Sequence, residues 1–383
     1  MNLALSDEQV FLREAARGAL SRFKTLEGAR EALDGDAGAL PDLWPTAREA
    51  GWTGMLIDES HGGAGLDAFD AMLVLGECGR VLAGIGLLGH LPATAILNDG
   101  LGGTDTAPML AELASGEKRA AYLPVSPPDD VSDAWSVDPA AGLARPGAPI
   151  ATASGEGQAT VSGELAFVPD APAADLLVGV ALLDGQPVGV AIEAGASGVT
   201  VEALTRYDST RSLGHVSLKD APTTVLDTPL DALAGAWHLA QALIAAESLG
   251  SVETALDVSV AYAKERFTFG RAIGSYQAVK HSLTEVLRQL ENGRSLLYYA
   301  GWARSGGPDE FPLAASAARS VAGRALDTAA RTMISVHGGI GATWEHDAPL
   351  YFRRAQLSRR LLGGTGKATD RVAGELILQA DAA

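Results

Sequence analysis

Three features of this 383-residue chain have side chains suited to chemistry. The first is the string Arg266-Phe267-Thr268-Phe269-Gly270-Arg271-Ala272-Ile273-Gly274-Ser275-Tyr276-Gln277, between two long helical patterns. An arginine at a helix C-terminus faces the negative end of the dipole and can also present its planar fork to an anion. Gly270 and Gly274 let backbone approach a ligand, Phe269 offers an aromatic edge, and Gln277 offers an amide for a sugar or base. The same residues would also make an ordinary turn with solvated arginines. The second feature is the glycine turn His337-Gly338-Gly339-Ile340-Gly341. The third is Glu247, the one ionisable group between Ala240 and Val252. A carboxylate alone among alanines and aliphatics is costly to bury unpartnered, so it serves as a base, binds an arginine, or faces solvent.

The elements that must hold these residues change period twice along the chain. From Ser6 to about Ala114 the spacing is helical, opening on the cap-like Ser6-Asp7-Glu8-Gln9. It is interrupted at His61-Gly62-Gly63-Ala64-Gly65 and between Gly84 and Gly89. From Ala121 to about Leu226 the pattern becomes short β-type runs, at Ala159 to Ser162, Leu176 to Leu182, Pro187 to Ile192, Val199 to Leu204 and His215 to Leu218. Pro127 to Pro149 reads as a loop-rich stretch. Beyond Pro229 the helical period returns, with long helices predicted at about 235–266, 279–304, 312–337 and 352–380. The expected fold is α+β: an N-terminal helical domain (1–120), a small middle β-sheet domain (121–228) and a C-terminal four-helix bundle (229–383).

Composition narrows the function. The 29 Lys and Arg against 47 Asp and Glu leave a net charge of −18, which repels nucleic acid and anionic membranes. No apolar run has the length of a transmembrane span. The start carries Asp7, Glu8 and Glu14 where a signal peptide needs a basic end and an apolar core, and Cys78 is the only cysteine, so a cytoplasmic protein is expected. His281 and His337 lack second ligands at metal spacing, so no metal is expected. Hydrolase, P-loop and nicotinamide motifs are missing.

Taken together, the strings resemble the acyl-CoA dehydrogenase family, which carries Arg-x-x-Phe-Gly with a Gln at the distance seen here for Arg266, Phe269, Gly270 and Gln277. A second family string matches residues 337–345, followed by Pro349-Leu350 and Arg353-Arg354-Ala355; Leu43-Trp44, Gly51-Trp52 and Glu59 to Gly65 extend the likeness into the first third. The resemblance implies an FAD enzyme that dehydrogenates an acyl-CoA thioester and passes electrons to an electron-transfer flavoprotein. It also implies a homo- or heterotetramer with each FAD at a subunit interface. By the same likeness Arg266 and Phe269 would contact a neighbour's pyrophosphate, Gln277 its adenosine side, and the Gly338-Gly339 backbone the diphosphate. Ser126, Phe167 and Thr365 fall in the segments that would meet the flavin.

The family's base, a Glu near the C-terminus, is replaced by Gly363 in Leu362-Gly363-Gly364-Thr365; the alternative position, early in the first bundle helix, is Ala240. Glu247 lies two turns from Ala240 on nearly the same face and is therefore the candidate base. The competing expectation is a partner subunit that completes the FAD site of a heterotetramer without a base of its own. The segment from Leu361 to Gly366 resembles actinobacterial subunits that pair as α2β2, some acting on steroid side-chain thioesters. Asp208-Ser209-Thr210-Arg211 matches a family segment, with a structural Asx-type turn expected.

Overall fold

The computed structural model describes residues 4–33, 35, 39–100, 102, 105–127, 136–137, 148–155, 157–205 and 207–381. Most of the stretch from Pro127 to Pro149, read as loop-rich, lies outside the described residues.

The chain opens with α1 (Asp7–Leu20). Its start is a reciprocal cap, in which the Gln9 N–H donates to the Ser6 hydroxyl and the Ser6 N–H to the Gln9 side chain. There follow α2 (Thr25–Leu33), α3 (Trp44–Glu49), α4 (Ala68–Arg80), α5 (Leu87–Asn98) and α6 (Ala107–Ala114). Asp67 caps α4 in the same reciprocal way with Asp70. Gly86, at φ +81°, reverses the chain into α5.

The strands are β1 (Ala120–Leu123), β2 (Val125–Ser126), β3 (Ser136–Val137), β4 (Ile150–Gly155), β5 (Gln158–Pro169), β6 (Leu176–Leu183), β7 (Gln186–Glu193), β8 (Val199–Ala203) and β9 (Leu213–Leu226). The main sheet runs β1-β6-β4-β5-β9-β7, with β8 on β9, and β7 pairs back onto β6, so the ladder closes on itself. Closure leaves few open edges for so small a sheet.

The C-terminal helices are α7 (Leu230–Glu265), α8 (Gln277–Gly306), α9 (Phe311–His337), α10 (Ala348–Ser358) and α11 (Gly364–Asp381). A short hairpin, β10 (Phe267–Thr268) and β11 (Arg271–Ala272), joins α7 to α8. Three of the four expected bundle helices are present. The fourth is two helices, because Leu362, Gly363 and Gly364 all take positive φ and break the run. Gln277, expected a turn inside α8, is its first residue. The unbroken buried run from Gly235 to Val252 leaves this stretch of α7 covered on all sides, as suits a helix packed against α4, α5, α8 and α9 at once. Among the described residues no helix is long and apolar enough to cross a membrane.

Candidate active site

Glu247 sits mid-way along α7 where that helix touches α4 backbone to backbone. A Cβ on Gly79 would lie 1.9 Å from the Glu247 carbonyl oxygen, and one on Gly250 would lie 1.8 Å from that of Gly76. Its carboxylate is almost wholly inside the protein, at 5% side-chain exposure, and both oxygens are occupied. One accepts from Arg354 Nη1 at 2.5 Å and the other from Arg211 Nη2. Arg354, on α10, also donates through Nε to Asp208 at 2.9 Å and through Nη2 to Thr210 and the Leu82 carbonyl. Arg211 Nη2 further reaches the Ser358 hydroxyl at 3.0 Å. The Asx-type turn is present: Asp208 Oδ1 accepts from the Thr210 N–H at 3.0 Å.

The electrostatics of this cluster are those of buried charges paired in a chain. Burial opposes the charge of Asp208, but Arg354 and Arg211, with the Thr210 hydrogen bond, more than offset it and hold the carboxyl below the usual range. Burial likewise opposes the Arg354 charge, and Glu247 and Asp208 outweigh it, raising that guanidinium further. Cys78, buried close by, has its thiol pushed up by burial and then by the Glu247 and Glu77 charges.

Two turns back along α7, the surroundings of Ala240 are filled. Trp237 packs against Gly363, where an added Cβ would lie 3.1 Å from its ring. Gln241 Nε2 donates to the Leu362 carbonyl at 2.6 Å. The cavity bordered by Pro127, Trp237, Gln241, Leu362, Lys367 and Arg371 measures only about 10 Å³, room for a single water at most. Glu247 is directed into the arginine cluster instead of this space. The arginines' part was legible only in hindsight: Arg211 and Arg354 are 143 positions apart in sequence, and nothing local announces that they meet.

The expected cofactor residues fall into two groups. In the inner group, Ser126 on β2 is fully buried and its hydroxyl has no hydrogen-bond partner among the described residues. The adjoining Pro127 faces Leu362 and Lys367 across the small cavity, which places Ser126 near the Gly363 corner and half-buried Thr365. Phe167 takes φ +55° at a bulge of β5, its ring 5.0 Å from that of His215.

The outer group lies at the far end of α7. Arg266 caps that helix and is exposed. Phe269 and Gly270 form the hairpin tip, at φ +51° and +80°, the conformation a two-residue type I′ turn requires. Phe269 is 94% exposed, with a backbone that costs a non-glycine residue strain. Arg271 stacks on Tyr276 at 3.9 Å, and the Tyr276 hydroxyl donates to the Thr268 carbonyl, so the hairpin is braced while its tip stays free. Gln277 is exposed beside it. Gly338, at φ +64°, and Gly339 follow α9 with nothing within 4 Å of either missing side chain. The rings of Tyr262 and His337, 4.3 Å apart, bring this glycine turn to the Arg266 end.

These residues fit a flavin dinucleotide. A buried hydroxyl with no partner suits a ring heteroatom, and a bare glycine turn beside an exposed arginine and aromatic suits a diphosphate.

Comparison with known proteins identifies the class. The family model for the acyl-CoA dehydrogenase N-terminal domain matches residues 6–125, and that for the C-terminal domain matches residues 232–376. The acyl-CoA dehydrogenase IpdE2 of Mycolicibacterium smegmatis is 30% identical over 361 residues, covering 94% of this chain and 96% of that protein. The acyl-CoA dehydrogenase FadE34 of Mycobacterium tuberculosis is 31% identical over 97% of this chain, which spans 48% of that longer protein. Among solved structures, the steroid ACAD variant Tcur3481-Tcur3483 superposes with a TM-score of 0.84 at 27% identity, over 98% of this chain and 99% of that one. The chain belongs to the acyl-CoA dehydrogenase family, FAD-dependent oxidoreductases that act on CH–CH bonds.

Proposed function

We propose that this chain works in acyl-CoA dehydrogenation as the partner subunit of a heterotetramer, lending FAD-binding segments while another subunit supplies the α-proton base. The observation that carries this reading is the engagement of Glu247. Both of its oxygens are held by guanidinium groups, and the space around Ala240 and Gly363 is packed by Trp237 and Gln241. A base must meet the proton it abstracts within hydrogen-bond reach, directly or through one water. For Glu247 to act, it would have to leave buried Arg211 without its ion-pair partner and Arg354 with Asp208 alone.

The helix geometry supports assembly. Gln241, beside the inner group, and Arg266, in the outer group, are 25 residues apart on one helix. At 1.5 Å per residue that is roughly 37 Å, beyond the reach of one extended dinucleotide. The outer group of this chain therefore serves a cofactor seated mainly in a neighbour, with Arg266 and Phe269 at the pyrophosphate, Gln277 at the adenosine side and Gly338 and Gly339 at the diphosphate. Ser126, Phe167 and Thr365 hold the flavin end where this chain seats one. When bound, FAD supplies the hydride acceptor for the substrate's β carbon. The residues of this chain orient it, shield its diphosphate charge and exclude water. Two-component naming of the related Tcur3481-Tcur3483 protein agrees with pairing, and its steroid substrate class is the one proposed here. An electron-transfer flavoprotein is the proposed acceptor.

The test is an absorbance spectrum of the full chain expressed alone and with a base-bearing family member from the same source. The expected result is colourless protein alone and a yellow complex that acyl thioester bleaches. Arg266→Gln and Phe269→Ala should then strip flavin from the complex without altering the chain's own circular dichroism. Stoichiometric flavin on the chain alone, bleached by acyl thioester, would overturn the reading.

A further inference from the structure

On the side of α7 away from Gly363, the structure holds a second and much larger cavity, about 390 Å³, between α1, α4, α7 and α8. That volume falls in the range of small-molecule sites, which are mostly apolar with a few placed polar groups. Its floor is apolar and buried: Met72 and Leu73 from α4, Ala246 and Leu249 from α7, Leu290 and Leu297 from α8. The space exists because α4 and α7 meet through glycines. Gly76 and Gly250 both line it, and a side chain built on Gly76 would meet nothing nearer than the Ala246 carbonyl oxygen at 3.8 Å.

The rim is charged in a particular way. Arg17 is held by Glu77 through two bonds of 2.9 Å, and Arg294 faces Glu253 at 3.5 Å. Arg13, one turn before Arg17 on the same face of α1, has no ion-pair or hydrogen-bond partner among the described residues. Arg17, Arg294 and neighbouring Arg80 are each tied to carboxylates, among them Glu77, Glu253, Asp257 and Glu291, which leaves Arg13 as the one rim guanidinium with no ion-pair partner among the described residues, beside the apolar floor. Tyr298 adds a hydroxyl beside them. A dianion such as phosphate would meet repulsion from Glu77 and Glu253, and a neutral lipid would leave Arg13 unused.

We infer that this cavity binds an amphipathic monocarboxylate, its tail on the α4, α7 and α8 floor and its carboxylate on Arg13. The site is separate from the cofactor segments and does not depend on the role assigned to Glu247.

Isothermal titration of the full chain with decanoate, below its micelle concentration, tests the site. Saturable binding is expected, at least tenfold tighter than that of decanol. Gly76→Phe, which fills the cavity from a position with room for a side chain, should abolish it. Arg13→Gln, a half-exposed change that does not endanger folding, should weaken decanoate about tenfold and leave decanol unchanged. A fused-ring monocarboxylate run in parallel shows whether chain or ring fits better, and either one supports the site. No saturable binding of either acid, equal decanoate binding by wild type and Gly76→Phe, or decanol as tight as decanoate would overturn the inference.

Discussion

Arg354 and Glu247 meet at 2.5 Å through side chains only 1% and 5% exposed, in a junction that joins the last third of the chain to the other two. Removing one partner of such a pair leaves an uncompensated buried charge, at a cost of about 3–5 kcal/mol. Glu247→Ala should lower the unfolding free energy by that amount in a urea titration, and Glu247→Gln by somewhat less. In the assembled flavoenzyme, Glu247→Gln should leave the bleaching rate within a few-fold of wild type. A fall of many powers of ten in bleaching, with stability unchanged, would instead make Glu247 the base.

Two buried histidines predict how stability responds to acid. His90 is bonded as a neutral ring, Nδ1 accepting from the Ala120 N–H at 3.1 Å and Nε2 donating to the Thr53 carbonyl at 3.0 Å. Burial pushes its pKa down to about 4, and burial with the Arg371 and Arg304 charges takes His238 to about 3. Unfolded histidine titrates near about 6.5, so between that pH and the folded values the unfolded chain binds more protons. Acidification therefore favours unfolding, by up to about 1.4 kcal/mol per pH unit for each ring. Asp170, raised by burial to about 6, works in the opposite sense between its folded value and the unfolded value near about 4. Asp99 and Asp70, also raised by burial, work with Asp170, while His346, lowered by burial, works with the two rings. The two fully buried rings outweigh the carboxyls, so stability should be lower at pH 5 than at pH 7 by up to about 2 kcal/mol. Below about pH 4, protonation of the depressed Asp208 adds to the loss. Urea midpoints that rise on going from pH 7 to 5 would contradict this account.

The glycines of the α4–α7 crossing differ sharply from another helical glycine. At Gly250 a methyl would fall 1.8 Å from a backbone oxygen, and at Gly79 1.9 Å, so neither can be relieved by turning a side chain. Gly250→Ala and Gly79→Ala should each cost about 3 kcal/mol or more. Gly18, on α1 with nothing within 4 Å, should gain up to about 1 kcal/mol as alanine through helix propensity. Thermal melts of the three variants give the comparison; a tolerated Gly250→Ala would mean the helices cross at a greater distance.

The order of helices, strands and helices was legible because period is a local property, and the Ser6 cap, α4 and the long bundle helices follow it closely. The break at Leu362 to Gly364 was less visible, since two glycines in a helical pattern lower its propensity without stating where φ turns positive. The segment from Arg266 to Gln277 stood out because family motifs record ligand contact. Glu247 shows where reading stops. Its isolation among aliphatics marked it as unusual, but its partners come from residues 211 and 354, and burial with two arginines is a tertiary fact. The plug formed by Trp237 and Gln241 was hidden for the same reason: in sequence both belong to an unremarkable apolar helix.

Arg354 donates to Leu82, Asp208, Thr210 and Glu247, and it is the last of the five to leave the ribosome. Until residue 354 has been made, Glu247 has only Arg211, and Asp208 only Thr210, to bond with at this junction. Through that interval the junction is unfinished and the residues before it are not yet locked together, which exposes the nascent chain to chaperones and proteases during synthesis. Truncation just before α10 should therefore give not a smaller stable core but a chain that is cleared.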